Sequence, residues 1–256
     1  MNELEILKRR HSVRSFTEEP LSAEVVKKLK AEITMTNTHE QGIKFQLITD
    51  DPEPLKGFSK SYGIFENPRN YMAAVVDTAT PDILERAGYF AEKFVIKAVQ
   101  LGLGTCYVGG TYNQSAVKAQ LRAGERVLFL VLLGYPQEKS RVMANLMAGF
   151  IHRKKMSARQ YFEPSSAYEA AAAEYPMLHD GLEGVACAPS ALNKRPVRVC
   201  ISEFDGKKKL CAKVDASNPK NLIDLGIAKF NFNFATNTEC EWGNGKPLIY
   251  GVDDVV

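Results

Sequence analysis

The chain has 256 residues, of which 45% are hydrophobic and 25% charged, enough to bury a core in one large domain or two small ones. A net charge of +3 is too small to argue by itself for a nucleic acid or an anionic membrane as partner, and neither is expected. The five cysteines, odd in number and with no C-x-x-C pair, argue against a disulfide framework and a structural zinc site.

Taken in chain order, Glu3 to Arg10 reads as a short helix. Ser22 is a good N-cap for a second helix to about Ile33, with Val25, Val26, Leu29 and Ile33 as its apolar stripe. Residues 44–49 and 71–76 read as strands. Thr80-Pro81 caps and opens a helix carrying Phe90, Phe94, Ala98 and Leu101 on one side, which Gly102 and Gly104 stop. Residues 127–133 (VLFLVLL), bounded by Gly124 and Gly134, read as a fully buried strand. No stretch approaches the roughly 20 apolar residues of a membrane span, and the N-terminus lacks the apolar run of a signal peptide. A cytoplasmic protein without a membrane partner is expected.

The second half repeats this grammar. After an Ala-rich helical connection (Tyr168 to Glu174) and a helical stretch through Leu182 to Ala186, residues 196–202 and 209–214 read as strands joined by a turn at Asp205-Gly206. Asn218-Pro219 then opens a helix as Thr80-Pro81 did, with Ile223, Ile227, Phe230 and Phe234 inward. An internal duplication is therefore expected, residues 43–50 corresponding to 196–203 and the helix at 80–101 to that at 218–237.

Three segments carry chemistry. Arg9-Arg10-His11-Ser12-Val13-Arg14-Ser15-Phe16 packs guanidinium groups and hydroxyls suited to phosphate into eight residues; it also reads as a solvated basic terminus. Ala188-Pro189-Ser190-Ala191-Leu192-Asn193-Lys194-Arg195-Pro196 offers backbone groups and an amide suited to a heteroaromatic edge, or is an ordinary helix-to-strand connection. Residues 101–110 hold four glycines that let backbone approach a ligand, or form a helix stop and turn; the spacing is not that of a dinucleotide fingerprint.

Together these segments resemble the FMN-dependent nitroreductase family. Arg10 to Arg14 match its opening arginine motif, and Ala188 to Pro196 its A-P-S-x-x-N-x-Q-P-W motif, with Arg195 in place of Gln and Val197 in place of Trp. Gly102 to Gly110 match G-L-G-T-C-W-I-G-G, with Tyr107 and Val108 as replacements. Leu133-Gly134-Tyr135-Pro136 and Asp224-Leu225-Gly226-Ile227-Ala228 match two further motifs. The arginine and glycine motifs lie in the first half and the other loop and helix motifs in the second, while Met35 to Glu40 stand where the first half has lost its A-P-S-x-x-N. The chain thus looks like the fused, pseudo-dimeric branch of the family.

The resemblance implies an α+β, nitroreductase-like fold of two diverged repeats, residues 1–150 and 151–256, each with a mostly antiparallel sheet flanked by helices. It implies a monomer with one FMN, no metal, and hydride transfer in ping-pong order from NAD(P)H to a small acceptor such as a nitro compound or quinone. Arg10, His11, Ser12, Arg14 and Arg153 would serve the phosphate, with Arg14 alternatively at the pyrimidine edge and Lys155 a weaker candidate. Tyr107, Val108, Gly109 and Gly110 would run along the ring, the Gly109 N–H toward N5. Pro189, Ser190, Ala191, Leu192 and Asn193 would line the ring from the other half. No catalytic side chain is implied, because the flavin carries the redox chemistry. The competing reading is an FMN carrier or sensor with little turnover. A hydrolase has no support, since no histidine sits in a G-x-S-x-G or H-E-x-x-H context.

Overall fold

The structure is a computed structural model that describes residues 2–56, 64–137 and 156–249. These fall into two compact units: residues 9–56, 64–79 and 93–137 form one, and residues 2–8, 80–92 and 156–249 the other. The boundary expected at residue 150 lies outside the described residues.

The first unit is built on an antiparallel sheet of β1 (Ile43–Ile48), β2 (Asn70–Val76), β3 (Gly104–Val108) and β4 (Arg126–Gly134), ordered β1-β2-β4-β3. The middle strands are the apolar runs. Every residue of β2 is buried, as is β4 from Phe129 onward. Strands covered on both faces need no polar–apolar alternation, so they appear in the sequence as continuous apolar stretches. Phe16, Tyr71, Cys106, Val108, Leu130 and Leu132 belong to one core cluster.

Two expectations change here. The helix α2 (Ala23–His39), which follows α1 (Glu3–Arg9), runs through His39 rather than ending near Ile33. Its N-cap is as expected, Ser22 Oγ accepting from Val25 N at 3.3 Å. Its last turn is fixed from outside: Asn37 donates to Phe45 O and accepts from Phe45 N, both at 2.8 Å. Residues 104–108, which also read as a turn after the helix stop, form the edge strand β3. Five residues, the first of them a glycine, are too few to show a period, and the strand exists because β4 pairs with it, Thr105 opposite Leu133.

The second unit contains the first turns of α3 (Pro81–Gln100), α4 (Tyr168–Glu174), α5 (Leu178–Cys187), the hairpin β5 (Arg198–Phe204) and β6 (Lys207–Lys213), and α6 (Lys220–Thr236). Asp205 (φ 50°) and Gly206 (φ 75°) are both left-handed, as a two-residue hairpin turn requires, so the strands run right up to them. Pro219 is the N-cap of α6 rather than its first residue, and Asn218 Oδ1 accepts from Lys220 N at 3.1 Å.

Helix α6 is buried on nearly every side, and glycines explain how. A Cβ on Gly226 would lie 1.8 Å from Glu85 O, and one on Gly88 would lie 2.1 Å from Ile223 O. The contacts are reciprocal, each glycine facing the carbonyl three residues before the other. Lys229 is fully buried near this crossing. Its Nζ donates to Glu85 Oε1 at 2.6 Å and to the carbonyls of Glu241 and Gly243 at 2.8 and 2.9 Å. The buried ion pair was not foreseen from the sequence, where Lys229 is one cation within an apolar helix.

No helix among the described residues is long and apolar enough to cross a membrane, and no group of three metal-ligating side chains occurs among them.

Candidate functional site

In the first unit, the arginine segment is laid along the free edge of the sheet. Ser12 forms a parallel bridge with Thr105, and Val13 N donates to Thr105 O at 2.8 Å. Gly104 permits this approach, since a Cβ there would meet Val13 at 2.7 Å. Glu66 N donates to Arg14 O, and Phe16 bridges Pro136, so the L-G-Y-P turn also touches this segment. Three sequence motifs that are far apart along the chain meet at one sheet edge.

The electrostatics follow from that placement. Burial pushes the Cys106 thiol up, while the positive charges of Arg14 and Arg10 and a hydrogen bond with Ser12 oppose the rise. Arg10, Ser12 and Arg14 are partly exposed and His11 is exposed, its Nδ1 3.0 Å from Arg9 O. The hydroxyls of Thr105 and Ser15 are buried without a hydrogen-bond partner among the described residues. Beyond β3, Gly109 and Gly110 are exposed, and an added Cβ at either meets nothing within 4 Å. Tyr107 leans on Phe129 with ring centroids 5.7 Å apart. The Val108 side chain is in the core, so this residue can offer a ligand only its backbone.

In the second unit, the loop at 188–196 folds back on itself. Asn193 N donates to Ser190 O at 2.9 Å, Arg195 N to Ser190 Oγ at 2.8 Å, and Arg195 Nε to Asn193 Oδ1 at 3.1 Å. The arginine that replaces the family's Gln is thus tied into the loop, and Val197, which replaces its Trp, is buried. Leu192, Asn193 and Arg195 are left-handed with φ 53°, at a cost of roughly 1–2 kcal/mol each. Behind the loop, a cavity of about 10 Å³ is lined by Tyr161, Pro189, Ser190, Arg195 and Asp224 among others. That is room for one water. That cavity has no room for a flavin-sized ligand, whereas on the outer side of the loop Leu192 is 68% exposed.

Asp224, to which the sequence motif assigns no role of its own, lies in α6 against this loop. It is 4% exposed, and both its carboxylate oxygens lie 3.1 Å from Ala191 N. Burial pushes its carboxyl up to about 7, against the lowering effect of the Ala191 N–H and the Lys194 charge. The available signal was a lone acid among apolar helix residues. Arg153 and Lys155 lie outside the described residues.

The chain matches the family model described as "Putative TM nitroreductase" over residues 2–236. It is 26% identical over 197 residues to a Cr(VI) reductase from Pseudomonas sp. (strain G-1), covering 64% of this chain and 79% of that one. A solved nitroreductase structure from Thermotoga maritima matches with a TM-score of 0.58 at 21% identity, over 92% of this chain and 83% of that one. A nitroreductase with bound FMN from Desulfitobacterium hafniense DCB-2 matches with a TM-score of 0.45 at 17% identity, over 55% of this chain and 92% of that one. The Thermotoga structure establishes the fold as nitroreductase-like, the α+β arrangement implied by the sequence motifs.

Proposed function

This chain belongs to the nitroreductase family of oxidoreductases, and on that premise we propose that it holds one FMN and transfers hydride in ping-pong order from NAD(P)H to a nitro compound or quinone. The observation that carries the reading is the strapping of the arginine segment onto the glycine-rich edge strand. Cationic side chains, unused hydroxyls and an uncovered stretch of glycine backbone come together there. That donor set fits a flavin phosphate and the flat ring attached to it.

Bound FMN supplies the hydride chemistry, so no side-chain acid or base is needed. Arg10, His11 and Ser12 would hold the phosphate, with Arg153 as a further cation. Arg14 would join them or lie at the pyrimidine edge, where a positive charge favours the electron-rich ring. Tyr107, Val108, Gly109 and Gly110 would meet the ring through their backbone. Pro189, Ser190, Ala191, Leu192 and Asn193 would meet it with the outer side of their loop. The Desulfitobacterium protein named above, a nitroreductase with FMN bound, motivates the same choice of cofactor.

A single flavin per chain follows from reading the chain as a fused pseudo-dimer that is monomeric in solution. The reciprocal glycine contact supports this, because in a two-fold interface residue i meets j as j meets i. Thr80-Pro81 and Asn218-Pro219 stand at the same spacing before Gly88 and Gly226. Each helix also follows an antiparallel strand pair, β1–β2 or β5–β6.

The test is the visible spectrum of the purified protein, followed through anaerobic addition of NADPH or NADH and then of a quinone. A flavin spectrum that bleaches and returns is expected. A protein that takes up no added FMN would refute the reading, and a yellow protein that neither nicotinamide bleaches would be a carrier.

A further inference from the structure

The loop at 188–196 carries three left-handed residues, none of them glycine, and its own hydrogen bonds run from Asn193 N to Ser190 O, from Lys194 N to Ala191 O, from Arg195 N to Ser190 Oγ and from Arg195 Nε to Asn193 Oδ1. The Ala191 N–H, at the start of the turn, is held from outside the loop. Ala191 N–H points at Asp224, with both carboxylate oxygens at 3.1 Å. Asp224 sits early in α6 and is 4% exposed, and its burial raises its carboxyl to about 7. A carboxylate is a costly way to fill that space, and an apolar side chain of similar volume would cost less. What the aspartate adds is a strong acceptor aimed at one N–H, directly before the two left-handed residues Leu192 and Asn193.

We propose that Asp224 is a positioning residue for flavin binding: by holding the Ala191 N–H it sets the turn whose outer side meets the ring. This rests on the flavin reading given above. Asp224 lies behind the loop and acts through Ala191, not on the cofactor itself.

The experiment is titration of flavin-free protein with FMN, followed by flavin fluorescence, for wild type, D224A, D224N, A191P and D224A/A191P. Proline at position 191 removes the N–H but turns its ring Cδ toward the Asp224 carboxylate, so its effect is read chiefly in the D224A background, where that space is open; Ser190 before it has φ −144° and ψ 156°, a conformation that a residue preceding proline adopts readily. D224A and A191P should each weaken FMN affinity by about tenfold or more. D224N keeps an acceptor oxygen and should recover most of the affinity lost in D224A. In the double variant the two losses should not add, because both remove one bond. Thermal midpoints measured on the same samples separate this pattern from general destabilisation, which D224N would not repair selectively. Wild-type affinity in D224A or A191P, or additive losses, would overturn the proposal. Should D224A not fold, D224L, which fills the same space without an acceptor, decides it by the same loss of affinity. Wild type that takes up no FMN would overturn the flavin reading and this inference with it, whereas wild-type uptake with unaffected variants overturns the inference alone.

Discussion

Replacing Gly226 by alanine places a methyl carbon 1.8 Å from Glu85 O, and replacing Gly88 places one 2.1 Å from Ile223 O. Cβ atoms in proteins essentially never come closer than 3.0 Å, so in either variant the helices must part by about 1 Å. The obstructing atoms are backbone carbonyls, which cannot rotate aside as a side chain would. Overpacking of this kind costs about 1–3 kcal/mol, and more where backbone blocks backbone. Parting the helices also stretches the Lys229–Glu85 hydrogen bond from 2.6 Å, because Glu85 lies on the displaced segment of α3. Alanine's better helix propensity returns about 1 kcal/mol. The expected net loss is about 2 kcal/mol for Gly226→Ala and somewhat less for Gly88→Ala, whose methyl intrudes less. The double variant should lose clearly less than the two losses combined, since one separation relieves both contacts. Urea denaturation of the flavin-free protein measures all three. Losses below about 1 kcal/mol, or strict additivity, would show that the helices do not cross this closely, and the support for a two-fold relation between the halves would go with that.

Three further outcomes are expected. Arg10→Ala with Arg14→Ala should sharply lower flavin retention through a desalting column while leaving the fold intact, since both side chains are partly exposed; unchanged retention would put the phosphate elsewhere. Lys229→Met should cost about 3–5 kcal/mol in a denaturation experiment, because it strands the buried Glu85 carboxylate. Adding Glu85→Gln should recover part of that loss. The raised carboxyl of Asp224 has a definite sign. Its folded-state value of about 7 lies above its ordinary 3.8, so its contribution to the stability of the flavin-free protein is complete below pH 3.8 and is lost as pH rises through 7. Asp224→Asn should therefore gain stability relative to wild type as pH rises from 3.8 to about 7 and keep that gain above it, and a difference that is constant across that rise would contradict the burial argument.

Much of the fold is legible in the sequence because its signals are local. The buried strands β2 and β4 are runs of apolar residues, the helices α2 and α3 begin at Ser22 and Thr80-Pro81, and the Asp205-Gly206 turn needs two left-handed residues that Asp and Gly tolerate. The arginine, glycine and proline–serine–asparagine segments are likewise visible, since each concentrates unusual residue types in a few positions. The matches to the family model and to the Thermotoga fold agree with those motifs.

Other features depend on partners distant in sequence. β3 is a strand because β4 and Ser12 supply hydrogen-bonding edges, and α2 keeps its last turn because Asn37 finds Phe45. Gly88 and Gly226 look like ordinary helix-weakening glycines until each is seen against a carbonyl of the other helix. Lys229 and Asp224 are single charges in apolar stretches, and only packing shows that one is matched by Glu85 and the other by the Ala191 N–H. Sequence by itself determined the residue types, the local turns and the apolar faces, all set by neighbours along the chain. Tertiary structure decided which buried polar groups pair and which backbones touch, because a hydrogen bond in the core depends on the distance between two atoms whatever the number of residues separating them.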